Sequence, residues 1–296
     1  MKIQRNQQGF TLIELMITLV LSLLITYGIA QVLISSNQSS STSDGVSQAQ
    51  ETARFVMSFL GKKIRASGAD SFAVGGAVVR PVIGCDIAAL NAINACPAES
   101  NTGATEATIT VAAGVLSGDR FAIAWIPPTA RPATASTPAI IATTTDCTGV
   151  TIPGFVADTI IVNVFWVSFD LAANSNSLFC QGHLFDGNNV IATGRAQAIA
   201  NGVEAIQVLY GEAMNPLPSN TERNVSRYVN ADEVVDWERV FAIKIAIMTR
   251  SISDITNNIN RQQYVMLDAG LYDFNDSVNR QIFTSTFAIA NFQDRE

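Results

Sequence analysis

The apolar run Phe10–Ile34, which carries a single charge, is the feature that most limits how this chain can fold. As an α-helix it would be about 37 Å long, enough to cross the ~30 Å hydrocarbon core of a bilayer. A cleaved secretory signal has a shorter apolar stretch and ends in small residues, whereas this run is followed by the polar segment Ser35–Ser43. Because Lys2 and Arg5 precede it, the N-terminus should stay in the cytoplasm and the rest should be exported. The run therefore predicts a membrane-spanning helix.

The one charge in this run, Glu14, does not fit a plain membrane anchor. A charged side chain at the bilayer centre costs roughly 2.5–3.5 kcal/mol, and less near an end, so such groups usually face a partner. No Lys or Arg lies between Arg5 and Arg54 to provide one. One candidate is the α-amino group that cleavage after Gly9 would create, within about one helical turn of Glu14. Glu14 therefore predicts a cationic partner that the uncleaved apolar run does not itself contain.

The sequence around this glutamate, GFTLIELMI from Gly9 to Ile17, resembles the class III signal of type IV pilins and of type II secretion pseudopilins. The resemblance implies that a prepilin peptidase cuts after Gly9 and methylates the new N-terminal Phe10 to N-methylphenylalanine. It also implies that Glu14 neutralises the N-terminal amine of a neighbouring subunit during assembly. The apolar run would act first as a membrane anchor and then as the packed centre of a filament, because lipid and a helical bundle are similarly apolar.

Beyond Ser35–Gly45, where the helix either loosens or simply presents a solvated surface, a helical period returns. Apolar residues recur at spacings of three and four, which favours core packing against a sheet. They are Val46, Ala49, Ala53, Val56, Leu60 and Ile64. Gly68 is the expected end of this helix. The predicted divisions of the chain are a leader (1–9), a transmembrane or filament-core helix (10–34), an amphipathic continuation (35–68) and an exported β-rich pilin domain (69–296).

The exported part is predicted to be rich in strands, without the long helical crossovers that parallel sheets require. The predicted strands are Thr108–Ala113, Phe121–Ile126, Thr159–Phe169, Ser177–Phe185, Val190–Thr193, Gly202–Tyr210, Val240–Thr249 and Gln281–Phe292. The third and fourth should form a hairpin across Ala172–Asn176. Pro127–Thr145 and Met214–Asn230 are predicted loops. The expected fold class is α+β, with the long N-terminal helix packed on an antiparallel β-sheet in a pilin-like arrangement.

The charge and the cysteines limit the partners and the compartment. A formal net charge of −7 disfavours nucleic acid or anionic lipid as the main partner, because both need a basic surface. An even number of cysteines in an exported chain predicts two disulfides. Sequence alone allows three pairings, of which we favour Cys85–Cys96 and Cys147–Cys180 because each closes a local loop. The cysteine spacings do not fit zinc, since there is no C-x₂-C pair and His183 is the only histidine.

The sequence offers little sign of catalysis. It contains no nucleophile-elbow, zinc-protease, phosphate-loop or dinucleotide motif, so we expect neither enzyme activity nor a cofactor. His183 is expected to be a structural or surface residue. The densest acidic segment could bind calcium through Asp268, Asp273 and Asp276. Its spacing does not match an EF-hand, and a solvated loop of turn formers between two strands explains it well.

Three further stretches resemble the PilW-type minor pilins, a family similar in architecture to the J-type pseudopilins of type II secretion. They are Gln50–Gly68, Gly202–Gly211 and Arg227–Ser251. The family's usual ending, near "LRN", appears here as "IAN" at Ile289–Asn291, without the arginine, and Asp70–Ala200 shows no such resemblance. The long chain also favours a minor over a major pilin.

This resemblance implies a protein of type IV pilus assembly or initiation, and hence a role in twitching motility, adhesion or DNA uptake. The implied partners are other minor pilins, the major pilin, the prepilin peptidase and the inner-membrane assembly platform, with no direct nucleic-acid site. The expected location is the inner membrane with a periplasmic domain, and then the pilus or cell surface. Two alternatives stay open: a J-type pseudopilin of a type II secretion system, and a membrane-anchored periplasmic enzyme or adhesin.

Overall fold

The computed structural model describes residues 11–68, 82–84, 118–125, 145–152, 159–186, 189–214, 224–251 and 260–290. The chain divides into two compact units, Met1–Asp44 and Gly45–Glu296, and each is treated separately below. The predicted strand Thr108–Ala113 lies outside the described residues, as does all but the last residue of the predicted loop Pro127–Thr145.

One helix, α1, runs from Leu12 to Ala66. No proline interrupts its sequence, and the polar stretch Ser35–Gly45 is helical throughout, so the helix does not loosen there. The helix ends close to the predicted glycine: Gly68 has a φ of 70°, a left-handed conformation that glycine adopts at low cost after a helix. The N–H of Gly68 donates to the carbonyl of Ala124 at 2.9 Å, which fixes the direction in which the chain leaves α1.

The part of α1 in the second unit buries one face. Its buried residues are Gly45, Ala49, Ala53, Val56, Leu60, Gly61 and Ile64. This confirms the predicted stripe except at Val46, which is only partly buried. Four of these residues join one core cluster with residues from two β-sheets, so the helix is held mainly by apolar burial against strands.

The first sheet is antiparallel throughout. Its strands are β1 (Val82–Gly84), β2 (Phe121–Trp125), β3 (Thr159–Asp170), β4 (Ser175–Asp186), β5 (Asn189–Thr193) and β6 (Gln197–Asn201). They are hydrogen-bonded in the order β1-β2-β3-β4-β5, and β6 also pairs with β4. The predicted hairpin is confirmed, because β3 and β4 pair without a register shift from Thr159↔Asp186 to Asp170↔Ser175.

The strands that follow β6 form a second antiparallel sheet and a separate hairpin. The remaining strands are β7 (Val203–Ala213), β8 (Val225–Val229), β9 (Val240–Arg250), β10 (Asn260–Val265), β11 (Leu271–Asp276) and β12 (Arg280–Ala288). The second sheet has the order β12-β9-β7-β8, while β10 and β11 form a separate hairpin. The α+β class and the antiparallel arrangement are therefore as the sequence predicted.

Strand β9 shows how the second sheet is covered on both faces. Ile243, Ile245 and Ile247 point into the main core with α1, whereas Ala246 and Met248 pack under the β10–β11 hairpin. Tyr272 and Phe274 of β11 supply the aromatic part of that second cluster. Because both faces are buried, the strand is apolar at almost every position.

Two predicted loops are wrong in part. Met214–Asn230 contains the strand β8, whose Val229 pairs with Tyr210. The acidic segment that begins at Asp268 contains β11, in which Tyr272 and Phe274 are buried and alternate with exposed polar residues. In both cases pairing with a neighbouring strand outweighs a local composition that is typical of loops. The last strand, predicted as Gln281–Phe292, ends at Ala288.

Gly61 provides a test of how closely α1 is packed. A Cβ atom at this position would lie 2.6 Å from Cε1 of Phe287, a buried ring of β12. We expect Gly61→Leu to lower the free energy of unfolding by about 1–3 kcal/mol, because overpacking outweighs the better helix propensity of leucine. Denaturant unfolding of the full chain in detergent measures this, with Ser58→Leu at an exposed position of α1 as the control. Equal stability of the two variants would contradict close packing at Gly61.

Candidate assembly site

Thr11 and the charged residue Glu14 lie together at the start of α1. The hydroxyl of Thr11, just before the first helical residue, accepts a hydrogen bond from the backbone N–H of Glu14 at 3.3 Å. A threonine followed three residues later by a glutamate is the capping-box pattern. Glu14 therefore lies in the first helical turn, where the helix dipole favours a negative charge. Gly9 and Phe10 lie outside the described residues.

The first unit presents apolar side chains to its surroundings along the whole of Leu12–Ile34. The large apolar residues in this range are between 52% and 79% exposed. By length and composition, the helix is long and apolar enough to cross a membrane. A continuous apolar surface of this size indicates a site of contact with lipid or with other protein.

The hydroxyl groups within this apolar stretch are hydrogen-bonded inside the helix. Thr18 donates to the carbonyl of Leu15 at 3.0 Å, Ser22 to that of Leu19 at 2.9 Å, and Thr26 to that of Ser22 at 2.7 Å. These groups therefore need no outside partner in an apolar surrounding. Glu14 differs from them, because no cation pairs with its carboxylate within the described residues.

The second unit holds a buried ionic network that joins four strands. Glu204 of β7 is 1% exposed and accepts hydrogen bonds from Arg250 Nη1 and from Arg280 Nε, both at 3.2 Å. Arg280 also binds Asp276 at 2.7 Å and lies 3.7 Å from the ring centroid of Phe274. Burial acts to lower the pKa of Arg280, but the bonds to Asp276 and the charge of Glu204 raise it overall. Hydrogen bonding from Arg280 in turn lowers the pKa of Asp276.

A second buried carboxylate, Glu212, organises the chain after β8. It accepts two hydrogen bonds from Arg227, at 3.0 and 2.7 Å, and one each from the backbone N–H groups of Val235 and Asp236, at 3.0 and 2.9 Å. Trp237 follows directly and packs edge-to-face on a tyrosine of β7 with ring centroids 4.8 Å apart. These contacts hold the segment between β8 and β9 against β7.

Two protein-family models match this chain, one near its N-terminus and one in its C-terminal half. Residues 4–26 match the model of the prokaryotic N-terminal methylation motif, which includes the apolar start of α1 and Glu14. Residues 164–291 match the model of Type IV Pilus-assembly protein W, from within β3 to beyond β12, and so include the whole ionic network. The match also covers residues 164–200, where the sequence alone had shown no resemblance. Together the two matches support a PilW-type minor pilin. No curated protein and no solved structure matched it.

The two family matches favour a type IV pilus minor pilin, processed at the prepilin signal, over a J-type pseudopilin or an enzyme. They point to a structural protein. They also imply that this minor pilin associates with a membrane and with other components of the pilus.

Two of the three calcium candidates of the minor pilin, Asp273 and Asp276, lie on strand β11, and the third, Asp268, precedes that strand. Asp273 forms an ion pair with Arg261 on the neighbouring strand β10, and Asp276 binds Arg280. The two carboxylates differ by an odd number of positions along β11 and therefore leave opposite faces of the strand. Within the described ranges, no three His, Cys, Asp or Glu side chains are grouped so that they could hold a metal ion.

The structure describes one of the two favoured disulfide pairs of the minor pilin. Cys147 and Cys180 form a disulfide with their Cα atoms 6.3 Å apart, which attaches the segment before Ile152 to β4. Cys85 and Cys96 lie outside the described residues. His183 is buried beside Thr193, whose hydroxyl lies 3.2 Å from Nδ1, and burial lowers the pKa of His183. The arrangement is that of a structural histidine.

Sequence reasoning missed the buried charges of the minor pilin. A carboxylate at Glu204, inside the apolar strand β7, was a usable signal because a buried charge needs a partner. Asp119 is similar: its carboxylate accepts the N–H of Val208 at 2.7 Å, while its own N–H donates to Ile206 at 2.8 Å. Burial raises the pKa of Asp119 well above its ordinary value, opposed by the bond from Val208. No local pattern identified the partners of either carboxylate.

Proposed function

We propose that this minor pilin primes assembly of the pilus as a non-catalytic subunit. In this proposal the prepilin peptidase removes Met1–Gly9 and methylates Phe10. The apolar half of α1 then leaves the inner membrane and packs among the helices of other subunits. Glu14 pairs with the N-terminal amine of a neighbouring subunit as it does so. Failure of this step would impair twitching motility, adhesion or DNA uptake.

The observation that supports the proposal is the contrast between Glu14 and the hydroxyls that follow it. Thr18, Ser22 and Thr26 are satisfied within the helix, but the carboxylate of Glu14 has no cation in the described chain. In an apolar surrounding an opposite charge at ~4 Å is worth several kcal/mol. A processed neighbour offers such a charge on its terminal amine, so the carboxylate would favour docked over separate subunits.

The location and partners follow from the same reasoning. We place the N-terminal helix in the inner membrane and the β-rich domain in the periplasm, because positive charges precede the apolar run. A disulfide between Cys147 and Cys180 suits an oxidising compartment. The proposed partners are the prepilin peptidase, the assembly platform, other minor pilins and the major pilin.

Mass spectrometry of the intact chain tests the processing step. In cells that contain the prepilin peptidase, we expect the membrane form to lack Met1–Gly9 and to carry one added methyl group. Gly9→Val should block the change, because the peptidase must approach the backbone where glycine has no side chain. A wild-type chain that keeps its full-length mass in such cells would refute the proposed function.

A further inference from the structure

Strand β12 forms one edge of the second sheet. It pairs with β9 at nine consecutive positions, from Arg280↔Arg250 to Ala288↔Ala242, without a register shift. On its other side no strand is hydrogen-bonded to it within the described part of the chain. Alternate N–H and C=O groups of an edge strand point away from its one partner. Within the described residues, β12 therefore presents a row of backbone donors and acceptors that no second strand pairs with.

This edge lacks the devices that normally prevent strand pairing between molecules. Natural edge strands are short, bulged, or carry charges and proline. Between Gln281 and Ala288, β12 has no charged residue, no proline and no glycine. Its pairing is also free of bulges. By these criteria β12 is an open edge.

The opposite edge of the same sheet, β8, provides an internal comparison. It is five residues long, includes the charged and exposed Arg227, and has a register shift beside Ala213 where it pairs with β7. Each of these features disfavours pairing with another molecule. The sheet is thus protected at β8 and open at β12.

The side chains of β12 define the strand that would fit. Thr284, Thr286 and Ala288 are exposed, and Ile282 and Phe283 are only partly buried. An added strand gains from threonine, serine, β-branched or aromatic residues opposite these positions. It gains nothing from charged residues, because β12 offers no opposite charge between Gln281 and Ala288. The complementary surface is an uncharged, extended segment.

We propose that β12 is a docking edge at which another subunit of the pilus adds an uncharged strand to the second sheet. The inference deepens the proposed function, on which it rests, by naming the surface through which the exported domain contacts a neighbouring subunit. Backbone hydrogen bonds supply the affinity of such strand addition, and the alternating side chains supply its specificity. The contact would be separate from the packing of the N-terminal helices.

Lysine substitutions in the full chain, expressed in pilus-forming cells, test the docking edge. Thr284→Lys combined with Thr286→Lys places charges on an edge that is otherwise uncharged. We expect at least a tenfold fall in the amount of the minor pilin in sheared pili. Ser226→Lys on β8 is the matched control and should leave that amount close to wild type. Incorporation of the double variant at the control level would overturn the proposal.

Two further measurements separate the possible causes of a loss. The mass of the processed chain and its unfolding midpoint should be unchanged in the double variant, so that a loss of docking is not a failure of processing or folding. A photo-cross-linking residue at Thr284, but not at Ser226, should join the chain to a different pilus subunit, identified by peptide mapping. Cross-links only to a second copy of this chain, or none from Thr284, would overturn the docking edge even where processing is normal.

Discussion

Arg280→Ala should lower the free energy of unfolding of the exported domain by about 3–5 kcal/mol, the usual cost of removing one partner from a buried ion pair. The side chains of Arg280 and Glu204 are 0% and 1% exposed, so the substitution leaves a buried carboxylate with one cation fewer. It also removes the contact with the ring of Phe274 and the bond to Asp276. Denaturant unfolding of the full chain in detergent, followed by tryptophan fluorescence, measures the change.

A matched control lies in the neighbouring hairpin. Arg261 pairs with Asp273 at the protein surface, so Arg261→Ala should leave the unfolding midpoint close to wild type. Replacing both partners, as in Glu204→Leu with Arg280→Met, should give a more stable protein than Arg280→Met alone, because the buried carboxylate that has lost a cation is then removed as well. Similar losses from Arg280→Ala and Arg261→Ala would show that the buried network does not stabilise the fold as the contacts indicate.

The elements that the sequence predicted best are those whose signals are local. The apolar run and the stripe from Ala49 to Ile64 predict α1, because helical periodicity depends only on near neighbours. Strands β3, β4, β7 and β9 were predicted for the same reason, since each contains a long apolar or alternating segment. The pairing of β3 with β4 could also be predicted, because the connection between them is short.

The strands that sequence reasoning missed are short or polar. The residues of β6, β8 and β10 are mostly exposed or partly buried, so they lack the apolar content by which strands are recognised. Strand β11 does alternate, with Tyr272 and Phe274 buried, but its acidic residues and the turn formers around it favoured a loop. What decides these elements is hydrogen-bonded pairing with another strand, which the composition of the segment itself does not record.

The functional and buried charged residues also differ in whether local sequence could predict them. Gly9, Phe10 and Glu14 belong to one linear motif, so sequence alone predicted them together. The network of Glu204 depends on the register between strands that lie more than forty residues apart in sequence. A charge in an apolar strand indicates that a partner exists, but the identity of Arg280 as that partner requires the fold.

Glu14→Gln should be processed normally and yet fail to enter pili, with at least a tenfold lower ratio of pilus to membrane protein. Glutamine is also accepted at this position of a capping box, so the start of α1 should be preserved while the charge is lost. A charge pair at 4 Å is worth about 4 kcal/mol at an intermediate dielectric. Even a third of this energy corresponds to a tenfold change in an equilibrium constant.

Quantitative mass spectrometry of sheared pili and membranes gives the ratio, and two variants calibrate it. Glu51→Gln removes another exposed glutamate of α1, within the second unit, and should leave the ratio unchanged. Glu14→Asp keeps the charge on a shorter side chain and should restore part of the incorporation. If Glu14→Gln and Glu51→Gln reach the pilus equally, the carboxylate of Glu14 is not paired with an amine in the filament. The charge in the apolar run would then need a different explanation, most directly a role confined to recognition by the peptidase or to the membrane-bound state.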